Sequence, residues 1–336
     1  MNLAKHWAAT LDDYVIDLAW SPDGSLLAAA SAAGGVALAE AATGQMRKTI
    51  AAHADGTNCV AWRPGPAAAL VATGGQDGCV RLWSGSGEPV AEYQGGSAWV
   101  EHLAWQPAAG DAPQLFAAAG RRLVALGADG TLQHAFPDAP KTIAALAWRN
   151  DGRVCAAATF GSVCLWEAST RTAAKEFAYG NAILALTWSP NDRWLVAGCH
   201  DNAVHLWAPA EDEELHMSGY ESKLRDLSFS PDSKWLATGG GRDACVWDCS
   251  GAGPANREPL TLPHEDRVVA VAFQHRHNVV ATGAANGEFA LWAPTHRNPL
   301  QVSARLPSAP TRIAWSPDDS LVAVGTASGA VFVFRA

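Results

Sequence analysis

The chain has 336 residues, of which 49% are apolar and 17% charged, and a net charge of −9. That balance supports a substantial buried core and argues against long disorder. It lacks the basic footprint that nucleic acids or anionic membranes need, so neither is expected as a partner. The start, Met1 to Trp7, carries no apolar run long enough for a signal peptide. No stretch approaches the roughly 18 apolar residues of a membrane helix. The seven cysteines are odd in number and scattered, as expected of reduced thiols used as small hydrophobes. A cytoplasmic protein is expected, and its Ala-rich, Lys-poor composition suits a bacterium of high GC content.

Taken in chain order, one phrase recurs. It reads Leu18-Ala19-Trp20-Ser21-Pro22-Asp23-Gly24, then Val60-Ala61-Trp62, Leu103-Ala104-Trp105, Leu146-Ala147-Trp148 and Leu186-Thr187-Trp188. It returns as Leu227-Ser228-Phe229, Val271-Ala272-Phe273 and Ile313-Ala314-Trp315. Successive aromatic markers lie 42, 43, 43, 40, 41, 44 and 42 residues apart, so eight copies fill the chain. Each copy opens on large apolar, small, aromatic, the period-two pattern of a strand. Pro-Asp-Gly chemistry then turns the chain. A second run follows, such as Leu70 to Gly74, then a polar turn and a third, such as Val80 to Trp83. A more polar fourth run, Pro89 to Tyr93 in the second copy, completes the unit. Four short strands per unit imply one antiparallel sheet that must bury both faces against its neighbours.

These residues resemble the WD-repeat β-propeller family over essentially the whole chain. The resemblance implies a buried hydrogen-bond tetrad in an intact repeat, met in full by His53, Thr73, Asp77 and Trp83. The seventh repeat offers His264, Thr282, Asn286 and Trp292, with Asn in place of Asp; the fifth keeps Asp201 and Trp207 without the His. The first, third and eighth repeats carry Ala39, Gly127 and Phe334 where the Trp belongs. The expected fold is an all-β, single-domain, eight-bladed propeller of four-stranded antiparallel blades. The last repeat ends at its third strand, and the repeat phase makes residues 4–8 a candidate fourth, which would close the ring and remove a free sheet edge. Seven is the family's commonest blade number, yet the even spacing leaves no unit to discard.

No phosphate loop, nucleophile elbow, His-Glu-x-x-His or Cys-x-x-Cys motif occurs, so no enzyme chemistry and no cofactor are expected. Cys245 and Cys249 read as core, His275-Arg276-His277 as a turn, and Glu211 to Glu214 as a solvated loop. Three residues before each marker stand Asp17, Cys59, His102, Ala145, Ala185, Asp226, Ala270 and Arg312. The resemblance puts these near the propeller axis. Asp17, Cys59 and His102, from consecutive blades, are candidate metal ligands set against a plain packing role.

The family resemblance also implies that the loops before the first strand and between the second and third bind peptides or proteins. The positions six before each marker include Tyr14, Trp99, Lys223 and Arg267. Aromatics and Arg at such loops are typical interface anchors. With Arg225 and Arg312 they make a candidate partner-binding set: basic in the sixth to eighth repeats, where Asp12, Asp13, Asp55 and Glu101 make the first three acidic. The expected function is a non-catalytic, monomeric scaffold that binds a protein or peptide. The alternative is a metal- or small-ligand-binding accessory protein using the axial channel.

Overall fold

The structure is a computed structural model that describes residues 3–107 and 112–336. Every described element is a strand, and apart from the first, Ala4–Thr10, the strands pair in chain order as antiparallel sheets. The second repeat shows the pattern, with Thr57–Trp62, Leu70–Gly75, Cys79–Ser84 and Pro89–Gln94 laid side by side. Its second and third strands are buried throughout or nearly so, whereas Pro89–Gln94 alternates between half-buried and exposed. Burial of both faces explains the continuous apolar runs in the middle strands, and one wet face explains the polar fourth.

The expectation of eight separate blades is corrected. The described residues form seven blades: six sheets of four strands and one of six. The six-stranded sheet arises because Val154–Glu167 and Ala173–Trp188 each run unbroken through what the repeat pattern marks as two strands. The physical reason is local. The second repeat separates its second and third strands with Gln76-Asp77-Gly78. The fourth repeat has only Phe160-Gly161 at that place, and it precedes the shortest marker spacing, 40 residues from Trp148 to Trp188. With so few turn residues the second and third strands run on as one, and the two repeats become one sheet because Ala173–Trp188 continues from the fourth strand of one into the first strand of the next.

The amino-terminal strand Ala4–Thr10 lies at the edge of the last repeat's sheet, next to Ala330–Arg335, followed by Leu321–Thr326 and Pro310–Trp315. The chain divides into two compact units, one built on Trp7–Gly180 with Gly329–Val331 and the other on Asn181–Ser328 with Phe332–Ala336. In the first, Leu26, Leu38, Val60, Trp62, Val71 and Trp83 form one buried cluster that joins two adjacent sheets. In the second, Val246, Leu262, Val271, Phe273, Val280 and Trp292 do the same. Each such side chain contributes about 1.5–3 kcal/mol on burial, so the sheet-to-sheet seams hold each unit together.

The repeated phrase has two structural tasks beyond burial. The marker Trp donates its indole N–H to a main-chain carbonyl of the preceding repeat. Trp62 donates to Ala19 (3.0 Å), Trp105 to Ala61 (3.2 Å), Trp148 to Ala104 (2.9 Å) and Trp315 to Ala272 (2.9 Å). The Ser-Pro-Asp turn after it is self-bonded. Ser21 Oγ donates to Asp23 at 2.6 Å and accepts the Leu26 N–H at 2.9 Å, a pattern repeated by Ser316, Asp318 and Leu321. These bonds hold the Asp23 and Asp318 carboxyls below the usual carboxylate range. No helix among the described residues is long and apolar enough to cross a membrane.

Candidate functional site

The four residues of the expected tetrad come together in the second repeat. Trp83 donates its indole N–H to Thr73 Oγ1 at 3.0 Å. His53 Nε2 stands 2.9 Å from the same hydroxyl, and His53 Nδ1 stands 2.9 Å from Asp77 Oδ1. Burial of the imidazole lowers its pKa despite the nearby carboxylate, so at neutral pH the ring is uncharged. The neutral ring donates from Nδ1 to Asp77, and Thr73 donates its hydroxyl proton to Nε2. Asp77 is half-buried and also takes the Arg81 guanidinium at 2.6 Å and the Cys79 N–H at 3.1 Å. Arg81 in turn reaches Glu92 at 2.7 Å. Every polar group in this chain is satisfied by another, an arrangement that serves structure rather than proton transfer to a substrate.

Two other repeats rebuild the chain with different parts. In the seventh, Trp292 donates to Thr282 Oγ1 at 2.8 Å, and His264 Nε2 lies 2.7 Å from that oxygen. His264 Nδ1 donates to the Leu262 carbonyl at 2.8 Å, while Asn286 bonds elsewhere, accepting the Glu288 N–H. In the sixth, Trp247 donates to the Tyr220 hydroxyl at 2.7 Å, which lies 3.0 Å from Thr238 Oγ1. Tyr220 thus takes the place of the imidazole. It stands nine residues before Phe229, as His53 stands nine before Trp62, so the offset alone could have found it.

The row three residues before each marker has a backbone cause. In seven repeats the innermost pairing slips by one residue just ahead of it, as between Val15 and Asp17, Thr57 and Cys59, Val100 and His102, and Pro310 and Arg312. Such a bulge re-aims the side chain that follows. Asp17 spends its carboxylate on main-chain donors, accepting N–H from Leu18 and from Val60 of the next repeat, both at 3.0 Å. Asp226 does the same for Val271 at 2.9 Å. Burial pushes the Asp226 carboxyl up to about 6, against the pull of Arg312 and the N–H donors. Cys59 is fully buried and its thiol is raised well above the ordinary range, with Sγ 3.8 Å from the Val100 carbonyl. Among the described residues no group of three or more His, Cys, Asp or Glu side chains is placed to hold a metal. Asp17, Cys59 and His102 therefore do not gather as a ligand set. The His275 turn is also accounted for: its Nδ1 and main-chain N–H, with the Arg276 N–H, are held by Asp319.

The candidate partner-binding residues fall in two places. In the unit built on Trp7–Gly180, Trp99 is 51% exposed and Tyr14 40% exposed. Phe160, at 54%, is another large exposed apolar side chain of this unit, at the bend inside the strand Val154–Glu167. Sequence reading passed over it, because the repeat pattern places a turn where the strand in fact runs on. In the other unit, Lys223, Arg225 and Arg267 line a cavity of about 120 Å³, whose wall also includes Asp226, Gly239 and Gly240. Arg312 does not line it; its guanidinium acts on Asp226 and donates to the Thr311 carbonyl. Lys223, Arg225 and Arg267 make no ion pair with an acidic side chain among the described residues. Three cations without an ion-pair partner thus line one small concavity, beside the Asp226 carboxyl.

Known proteins carry parts of this pattern. Residues 1–64 match the family model described as the anaphase-promoting complex subunit 4 WD40 domain. Residues 174–208 and 213–248 match that described as the WD domain, G-beta repeat. The "Ribosome biogenesis protein WDR12 homolog" of Chlamydomonas reinhardtii is 27% identical over 257 residues, covering 58% of this chain and 54% of that protein. The chain thus spans about half the length of the curated relative it matches. The crystal structure of the computationally designed Ika8 protein matches with a TM-score of 0.82 at 19% identity, covering 99% of this chain and 100% of that one, a likeness of fold alone.

Proposed function

Because this chain is a WD40-repeat β-propeller, we propose that it is a non-catalytic scaffold binding a protein or peptide through its loops. The single observation that carries the reading is the basic cavity of Lys223, Arg225 and Arg267, three cations left unneutralised where a partner can reach them. Exposed Trp99 and Tyr14 supply apolar anchors of the kind that dominate interface energetics, each worth about 2 kcal/mol or more when desolvated. The buried His–Asp pair, which could suggest general-base chemistry, is committed to the tetrad instead. A partner presenting an acidic segment fits the cavity by charge. The curated relative is named for ribosome biogenesis, which makes assembly factors reasonable bait in a search.

The test is affinity capture from the source organism followed by mass spectrometry, with the parent chain and the double variant Trp99→Ala, Arg267→Ala in parallel. Both sites are exposed, so the variant should keep its stability to within about 0.5 kcal/mol and lose a partner that the parent retains. An unchanged set of captured proteins would remove these residues from the interface.

A further inference from the structure

The fourth repeat retains half of the tetrad and leaves a hole where the other half should be. Thr159 and Trp166 occupy the places of Thr73 and Trp83, but Ala139 stands nine residues before Trp148, where the second repeat has His53. The shortened Phe160-Gly161 turn leaves no counterpart of Asp77, and Cys164 replaces Arg81 two residues before the Trp. The result is a cavity of about 230 Å³, lined by Asp138, Ala139, Thr159, Cys164, Trp166 and Glu176 among others.

The chain's own second repeat shows what is missing. There the imidazole of His53 meets the Thr hydroxyl, and the Arg81 guanidinium bonds the acidic side chains Asp77 and Glu92. In the fourth repeat Asp138 and Glu176 line the opening, and no imidazole or guanidinium lines it with them. Thr159 Oγ1 has turned to the carbonyls of Phe160 and Ser162, at long distances of 3.4 and 3.3 Å. Glu176, beside Cys164, and Asp138 make no ion pair among the described residues, and the Trp166 indole N–H makes no hydrogen bond among them. A carboxylate pair, an aromatic wall and a hydroxyl around one opening match the chemistry of a guanidinium. Its planar fork bonds carboxylates and stacks on an indole better than an ammonium does.

We propose that this cavity is the docking site for an arginine side chain of a protein partner, which supplies in trans the nitrogen donors that His53 and Arg81 supply in the second repeat. The cavity shares no residue with the basic one around Arg267, so either site can fail its test alone.

The experiment follows the indole N–H resonance of Trp166, assigned with Trp166→Phe, while Nα-acetyl-arginine amide is added to the full chain. A saturable shift in the millimolar range is expected. The neutral isostere Nα-acetyl-citrulline amide should bind at least about tenfold more weakly, a difference of about 1.4 kcal/mol. Ala139→His fills the hole with the side chain used in repeats two and seven and should abolish the shift. Should that variant fold poorly, Glu176→Gln, at an exposed strand position, should weaken binding several-fold. A shift that never saturates, equal binding of citrulline or of Nα-acetyl-lysine amide, or full binding by Glu176→Gln overturns the assignment.

Discussion

Replacing Thr73 with Val tests whether the tetrad stabilises the second repeat. The substitution keeps the shape of a fully buried side chain and removes one hydroxyl. Two buried polar groups then lose their partner: the Trp83 indole N–H at 3.0 Å and His53 Nε2 at 2.9 Å. An unsatisfied buried group costs about 1–3 kcal/mol, so the variant should lose about 2–5 kcal/mol. With the unfolding entropy usual per residue, that is a fall of roughly 3–7 °C in Tm for a chain of this length. The fourth repeat supplies an internal control. The Thr159 hydroxyl reaches two main-chain carbonyls at 3.4 and 3.3 Å and no imidazole, so Thr159→Val should cost less than about 1 kcal/mol. Thr282→Val should follow Thr73→Val, since Trp292 and His264 both meet that hydroxyl. Calorimetry and urea unfolding with an unchanged m-value measure all three. If Thr159→Val costs as much as Thr73→Val, the loss comes from the threonine site in general and the network is not its source.

Tyr220→Phe removes the relay between Trp247 and Thr238 and should cost about 2–3 kcal/mol in urea unfolding. Tyr220→His, which restores a donor and an acceptor, should recover much of that loss; if it matches Phe, the relay is not what stabilises the repeat. Lowering the pH from 7.5 to 5.5 should reduce Tm. Burial lowers the pKa values of His53 and His264 below 6.5, so as pH falls the unfolded chain takes up protons that the folded one refuses. A Tm that is flat or rising over that window would contradict neutral imidazoles. Asp226 acts in the opposite sense. Its carboxyl is raised to about 6, so the folded state binds that proton first and gains stability as pH falls through 6. Asp226→Asn should therefore lose more Tm than the parent between pH 7.5 and 5, and parallel curves would show an ordinary carboxyl.

The sequence by itself determined the repeat, its strand content and the members of the intact tetrad. Each of these is written in local periodicity: apolar alternation for the strands, turn chemistry between them, and a nine-residue offset from His53 to Trp62. The phase of the repeat also carried the pairing of Ala4–Thr10 with Ala330–Arg335. Tertiary structure decided the rest, because it depends on which groups meet across sheets. Counting markers gives eight units, yet strand continuity through residues 154–167 and 173–188 makes seven sheets, since hydrogen-bond pairing, not spacing, sets where a sheet ends. Asp17 and Cys59 look like metal ligands in a list of residues. In the fold, one is consumed by main-chain N–H groups and the other is buried with its thiol toward the Val100 carbonyl. The basic cavity and the hole beside Ala139 are likewise three-dimensional facts. A cation without a counter-charge, or a volume without a side chain, is defined by what its neighbours in space fail to supply, and no one-dimensional pattern records that.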